Sequence, residues 1–256
     1  MKEGRGKKGQ VTLFVIIALV IIVFGVIAYF FYPGIRSTNS GIEENPRIYM
    51  QNCVEDTLEE NVELISSQGG SIKPNSNFSY GGNPIEYLCY SNQNFQPCVP
   101  QIALLINHIE NEIEISIEDK VEDCLNQMER DYKIKGYEIL LTKGNIDTTL
   151  IPNKIVLTTN SRLKLIKDSV QNYESFDIIL DNNLFELASL ANTIVNWEKN
   201  YGIADPFYFM SWYKDRFDIK KLSPDGGKTA IWIIEDSNTE DSFRFAVTEM
   251  NIPLGV

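Results

Sequence analysis

Histidine is nearly missing from this chain: His108 is the only one in 256 residues. The four cysteines, Cys53, Cys89, Cys98 and Cys124, form no C-x-x-C pair. With one histidine and no paired-cysteine spacing, no zinc site is expected. Neither G-x-S-x-G nor an active-cysteine context is present, so no nucleophile signature accompanies His108. Glycine-rich phosphate loops, basic aromatic stripes, internal repeats and low-complexity tracts are absent as well. Positive charge is scarce, with 23 Lys and Arg against 35 Asp and Glu, a net of −12. The residues before Val11 hold four bases (Lys2, Arg5, Lys7, Lys8) and one acid (Glu3), a net of +3, which leaves −15 for the rest. Such a balance repels nucleic acid and anionic headgroups. No cofactor, metal or catalytic residue is assigned, and the chain reads as non-catalytic.

What is present begins with the run Val11–Tyr32, which contains no charged residue. As a helix it rises about 33 Å at about 1.5 Å per residue, close to the roughly 30 Å of a hydrocarbon core. It ends in aromatics suited to a membrane interface, and Pro33-Gly34 then stops it. A cleaved secretory signal has a shorter apolar core and a small-x-small site. The segment therefore reads as a retained transmembrane helix. Its basic flank places the N-terminus in the cytoplasm and the remainder outside. Four cysteines, all beyond the run, agree with an oxidising exterior.

The motif "KKGQVT" resembles the class III signal peptide of archaeal type IV pilins and related surface proteins. The resemblance covers residues 1–32. It implies cleavage after Gly9 by a prepilin peptidase that reads Lys7, Lys8 and Gly9, with Gln10 as the new N-terminus and the apolar helix retained. Phe14 stands where many relatives carry glutamate, and Pro33-Gly34 interrupts a helix that many pilins continue into the head. The layout beyond the run, with "CVEDTLEENVELISSQGG", also resembles uncharacterised archaeal surface proteins with a cysteine-containing ectodomain.

Five segments are expected: a cytoplasmic leader at 1–9, a membrane helix at 10–32, a polar stalk at 33–45, a helical cysteine-bearing region at 46–136, and an antiparallel sheet with helices at 137–256. The fold class is α+β. One long helix starts at Asn45-Pro46 and stops at Gly69-Gly70, with Ile48, Tyr49, Cys53, Val54, Leu58, Val62 and Ile65 at helical spacing. Residues 71–100 read as short strands and loops. A second long helix spans about 100–133, although "EIEISIE" within it alternates like a strand. "YEILLT", "NKIVLTT", "RLKLIKD" and "SFDIIL" read as an antiparallel meander, followed by a helix from Asp181 to Asn200, a short aromatic helix, and a hairpin about "SNTED". The short loop between Cys89 and Cys98 closes easily, which leaves Cys53 for Cys124 to staple the two helices. Four cysteines nonetheless permit three connectivities.

Four features invite a functional reading. Glu110, Glu114 and Glu118 share a helix face, read as solvated. "DSNTED" (Asp236 to Asp241) distantly resembles a calcium loop but lacks its glycine and distal glutamate, and reads as a hairpin loop. "PFYFMSWY" (Pro206 to Tyr213) holds five aromatics, read first as packing and second as a partner surface. Asn77-Phe78-Ser79 is a glycosylation acceptor motif. The combined expectation is a single-pass surface protein with a binding or envelope-structural ectodomain, its partners the membrane and other surface or pilus proteins. A pilin-like subunit and an ectoenzyme or binding module without a recognisable motif are the alternatives.

Overall fold

Asn45 opens the described structure. Its side chain accepts a hydrogen bond from Arg47 N at 3.0 Å, and Pro46 takes the first helical position, where its missing N–H costs nothing. The computed structural model describes residues 45–93, 96–214 and 216–250. The leader, the apolar run, the stalk and the processing residues Lys7, Lys8, Gly9 and Gln10 lie outside the described residues. Among those described, no helix is long and apolar enough to cross a membrane.

The fold is α+β, with four helices and twelve strands among the described residues. Helix α1 (Pro46–Ser67) buries Met50, Val54, Leu58, Val62 and Ile65 along one side. Ile48, expected on that stripe, points outward, and Met50 takes its place. Helix α2 (Leu105–Ile134) lies antiparallel to α1: Tyr49 Oη donates to Asp131 Oδ2 at 2.9 Å, and Asn61 Nδ2 donates to Ser116 O at 3.2 Å. The alternating stretch within α2 is fully helical. Ile113 and Ile117 are buried four residues apart, while Ile115 is 65% exposed. The seam against α1 thus overrides the local strand pattern. Both disulfides, Cys53–Cys124 and Cys89–Cys98, are closed in the connectivity favoured by loop size.

The strands form three sheets instead of one meander. Strands β4 (Glu138–Thr142), β7 (Arg162–Ile166) and β8 (Val170–Tyr173) make one; β5 (Ile146–Ile151), β6 (Lys154–Thr159) and β9 (Phe176–Asp181) make another. "YEILLT" therefore pairs with "RLKLI", skipping the intervening hairpin. Alternation specifies which face of a strand is inward but not which strand is its neighbour. The second sheet buries Leu150, Ile155, Leu157, Phe176, Ile178 and Leu180, with α1 against β9 and α2 against β5.

The third sheet has the order β1 (Asn77–Tyr80), β2 (Asn83–Tyr90), β12 (Ser242–Thr248), β11 (Thr229–Asp236), β10 (Phe217–Leu222), with β3 (Val99–Pro100) also on β2. Strands β2 and β12 pair in parallel, with Ala246 opposite Tyr87. Strands from the cysteine-bearing segment thus complete a sheet built from the far end of the chain. A division at 136/137 is no boundary in the structure. Helix α3 (Leu184–Tyr201) lies over β12, β11 and β2. Gly202 ends it at φ 73, where a Cβ would meet Met250 Sδ at 2.5 Å.

The glutamate row of α2 departs from its expected solvated role. Glu110 Oε1 accepts from Leu150 N at 2.9 Å, and Glu114 Oε1 accepts from Thr148 N at 2.7 Å. These N–H groups belong to β5, the edge of its sheet. On the opposite edge, Gln51 of α1 accepts from Ile179 N and donates to Ile179 O, both at 2.9 Å. Helix side chains thus satisfy both edges, which blocks strand addition there. Glu118 remains exposed.

Candidate interaction surface

Helix α4 (Pro206–Trp212) is set by Asp205, whose Oδ1 accepts from Phe207 N at 2.9 Å, and by Pro206 at its first position. At 3.6 residues per turn, two turns cannot direct the four aromatics of this helix to one side, and Tyr213 follows as its C-cap. Phe209 is 1% exposed and packs inward. Phe207 is 75% exposed and Trp212 68%; Tyr208 and Tyr213 are also open to solvent. The packing role expected for "PFYFMSWY" therefore holds for Phe209 alone among its aromatics.

The exposed rings form a continuous surface with the end of α3. Trp197 lies 4.8 Å from Tyr208 and 5.1 Å from Tyr201, centroid to centroid, and Tyr208 lies 5.6 Å from Trp212 edge-on. Tyr201 and Ile203 extend it, each about two-thirds exposed. Trp197 also touches the buried Phe209 at 5.7 Å, which fixes the platform to the core. Large amphipathic rings held this way bury much area on contact at small cost in side-chain entropy.

The remaining sequence candidates are structural. Ser71 and Glu86 are buried, and the Ser71 hydroxyl donates to Glu86 Oε2. His108 Nε2 lies 2.8 Å from Ser71 Oγ. Since the hydroxyl proton is already given to the carboxylate, Nε2–H is the donor to Ser71. That direction is opposite to the one a nucleophilic serine needs, where the hydroxyl donates to a histidine base. Glu86 Oε1 also accepts from Asn75 N at 3.3 Å, and Glu112 Oε2 accepts from Ile72 N at 2.8 Å. The cluster orders the turn after α1. Its members are distant in sequence and share no motif, so only His108 was visible beforehand.

The "DSNTED" segment is the β11–β12 hairpin loop. Asp236 accepts from Arg216 Nε at 3.0 Å, Asn183 Nδ2 at 3.1 Å and Asn238 N at 2.9 Å. Asp241 accepts from Asn182 Nδ2 at 2.9 Å, Asn183 N at 3.0 Å and Thr239 Oγ1 at 2.7 Å. These carboxylates anchor the loop to the start of α3. Among the described residues no group of three or more potential ligands is placed to hold a metal ion. Asn77 and Ser79 both face solvent on the edge strand β1, and Asn77 Nδ2 donates to Pro74 O at 3.1 Å. No family model, curated protein or solved structure matches this chain.

Proposed function

We propose that this is a non-catalytic, single-pass membrane-anchored surface protein whose ectodomain binds a protein partner through the α4 aromatic face. Residues 10–32 serve as the anchor, residues 1–9 lie in the cytoplasm, and the described domain stands outside the cell membrane. The observation that carries the location is the pairing of all four cysteines in two disulfides. Closed structural disulfides belong to oxidising compartments, and the positive flank before Val11 orients the chain the same way. For the aromatic face, the support is its exposure and its fixed geometry. Protease added to intact cells should digest the ectodomain. Protection until lysis would refute the placement.

A second reading, a pilin-like subunit processed after Gly9, rests on the "KKGQVT" motif. Intact-mass measurement of the mature protein tests it: a chain beginning at Gln10 is required, and an unprocessed N-terminus removes this reading while leaving the anchor.

A further inference from the structure

Arg244 lies on β12 opposite Ile233 of β11. Its Nε is buried without an acceptor, and no hydrogen bond or ion pair engages its guanidinium among the described residues. Arg216, by contrast, is tied to Asp236 at 3.0 Å. A guanidinium cannot discard its proton, so Arg244 keeps its charge, and burying part of it unpaired is unfavourable.

Arg244 lines a cleft of 410 Å³ between the C-terminal half of α1, the start of β2 and the β11–β12 hairpin. Four carboxylates also line it: Glu59, Glu63, Glu240 and Asp241. Asp241 is committed to Asn182, Asn183 and Thr239. The side chains of Glu59, Glu63 and Glu240 have no partner among the described residues. A single unpaired cation thus lines the cleft with three unpaired anions, and Ser66, Asn83 and Ser242 line it as well.

We infer that this cleft binds a small zwitterion of the α-amino acid type. The ligand carboxylate pairs with the two terminal nitrogens of Arg244, since its Nε is too buried to be reached and carboxylate and guanidinium pair through two parallel hydrogen bonds. The ligand ammonium is held by the glutamates, and the hydroxyls and the Asn83 amide serve its remaining polar groups. A simple anion such as phosphate would meet Arg244 but be repelled by three carboxylates. A simple cation would leave Arg244 unpaired. Only a ligand with both charges close together matches the cleft. The site is separate from the aromatic face and does not depend on it.

Calorimetric titration of the full-length protein in detergent with each of the common free L-α-amino acids tests this. At least one should bind saturably. Its N-acetyl form, without the ammonium, and its amide, without the carboxylate, should each bind at least about tenfold more weakly. Arg244→Gln should lose about tenfold or more in affinity with an unchanged or higher melting temperature, because an unpaired buried charge is removed. If Arg244→Gln fails to fold, the exposed pair Glu63→Gln and Glu240→Gln decides: retained affinity refutes the site, and a loss of about tenfold supports it. No binding by any amino acid, or inorganic phosphate binding as tightly, would overturn the proposal.

Discussion

Lys221 sits between two carboxylates, its Nζ 3.0 Å from Glu198 Oε1 and 2.9 Å from Glu249 Oε1, with the Trp232 ring 5.1 Å away. Burial pushes the Glu198 carboxyl above the usual range, and Lys221 opposes that shift. The native state therefore holds this proton at pH values where the unfolded chain has released it. Its contribution favours folding at low pH and is lost as pH rises through the folded value. Replacing Lys221 by Met leaves Glu198 without its cation. Urea unfolding should show a loss of about 3 kcal/mol at neutral pH, shrinking as pH falls through the raised folded value of Glu198 and levelling off once the carboxyl is protonated in both states. Adding Glu198→Gln should restore much of the loss, and a pH-independent loss would refute this account. The aromatic helix offers the opposite contrast. Phe209→Ala should cost about 3–5 kcal/mol as a core deletion. Phe207→Ser with Trp212→Ser should change stability by no more than about 0.5 kcal/mol each, as exposed sites do. The same pair should abolish partner binding, measured against an identified surface partner by cross-linking on intact cells. Unchanged cross-linking would remove the aromatic face from the proposal.

At the scale of elements, the helix pair and its sheet hold each other. Cys53–Cys124 closes a loop with a sequence separation of 71, and Cys89–Cys98 one of 9. On loop-closure entropy the first contributes about 4 kcal/mol and the second about 3. Paired Cys→Ser replacement should destabilise in that order, read by the urea midpoint. The reverse order would mean that native packing outweighs chain entropy. The carboxylates of α2 act on β5 in a way that can be followed one amide at a time. Glu114→Ala removes the acceptor for Thr148 N, a charge-assisted bond of about 1.5–3 kcal/mol. Hydrogen exchange at the Thr148 amide should accelerate while Leu150, held by Glu110, stays protected. Equal acceleration at both would show that the edge opens as a unit.

For the whole molecule, the proposed anchoring by Val11–Tyr32 can be tested directly. Exchanging Val11–Tyr32 for an unrelated membrane helix of equal length should leave the ectodomain at the cell surface with its binding intact. Loss of filaments after the exchange, with insertion unimpaired, would favour the pilin-like reading, because a filament core needs specific helix packing that an anchor does not. If a prepilin peptidase processes the chain, Gly9 replaced by a bulky residue should block cleavage and still permit insertion.

Much of this protein was legible in its residues. The α+β class, the helix of Pro46–Ser67 with its Asn45 cap, the "SNTED" hairpin and the disulfide pairing follow from periodicity, capping chemistry and loop length. All of these are local or depend on chain separation. Strand partners were not legible: β4 finds β7, and β2 finds β12 about one hundred and sixty residues away, because alternation carries a face but no address. Solvation was not legible either. Glu110 and Glu114 looked like a solvated row until β5 brought its unpaired N–H groups against them. The aromatic helix reads first as packing, and only the folded structure decided that Phe209 goes in while Phe207 and Trp212 stay out. Arg244 reads as an ordinary alternating strand residue. That it stands unpaired beside carboxylates from α1 and its own hairpin is a consequence of tertiary structure, since charges from two segments far apart in the sequence meet only once the chain has folded.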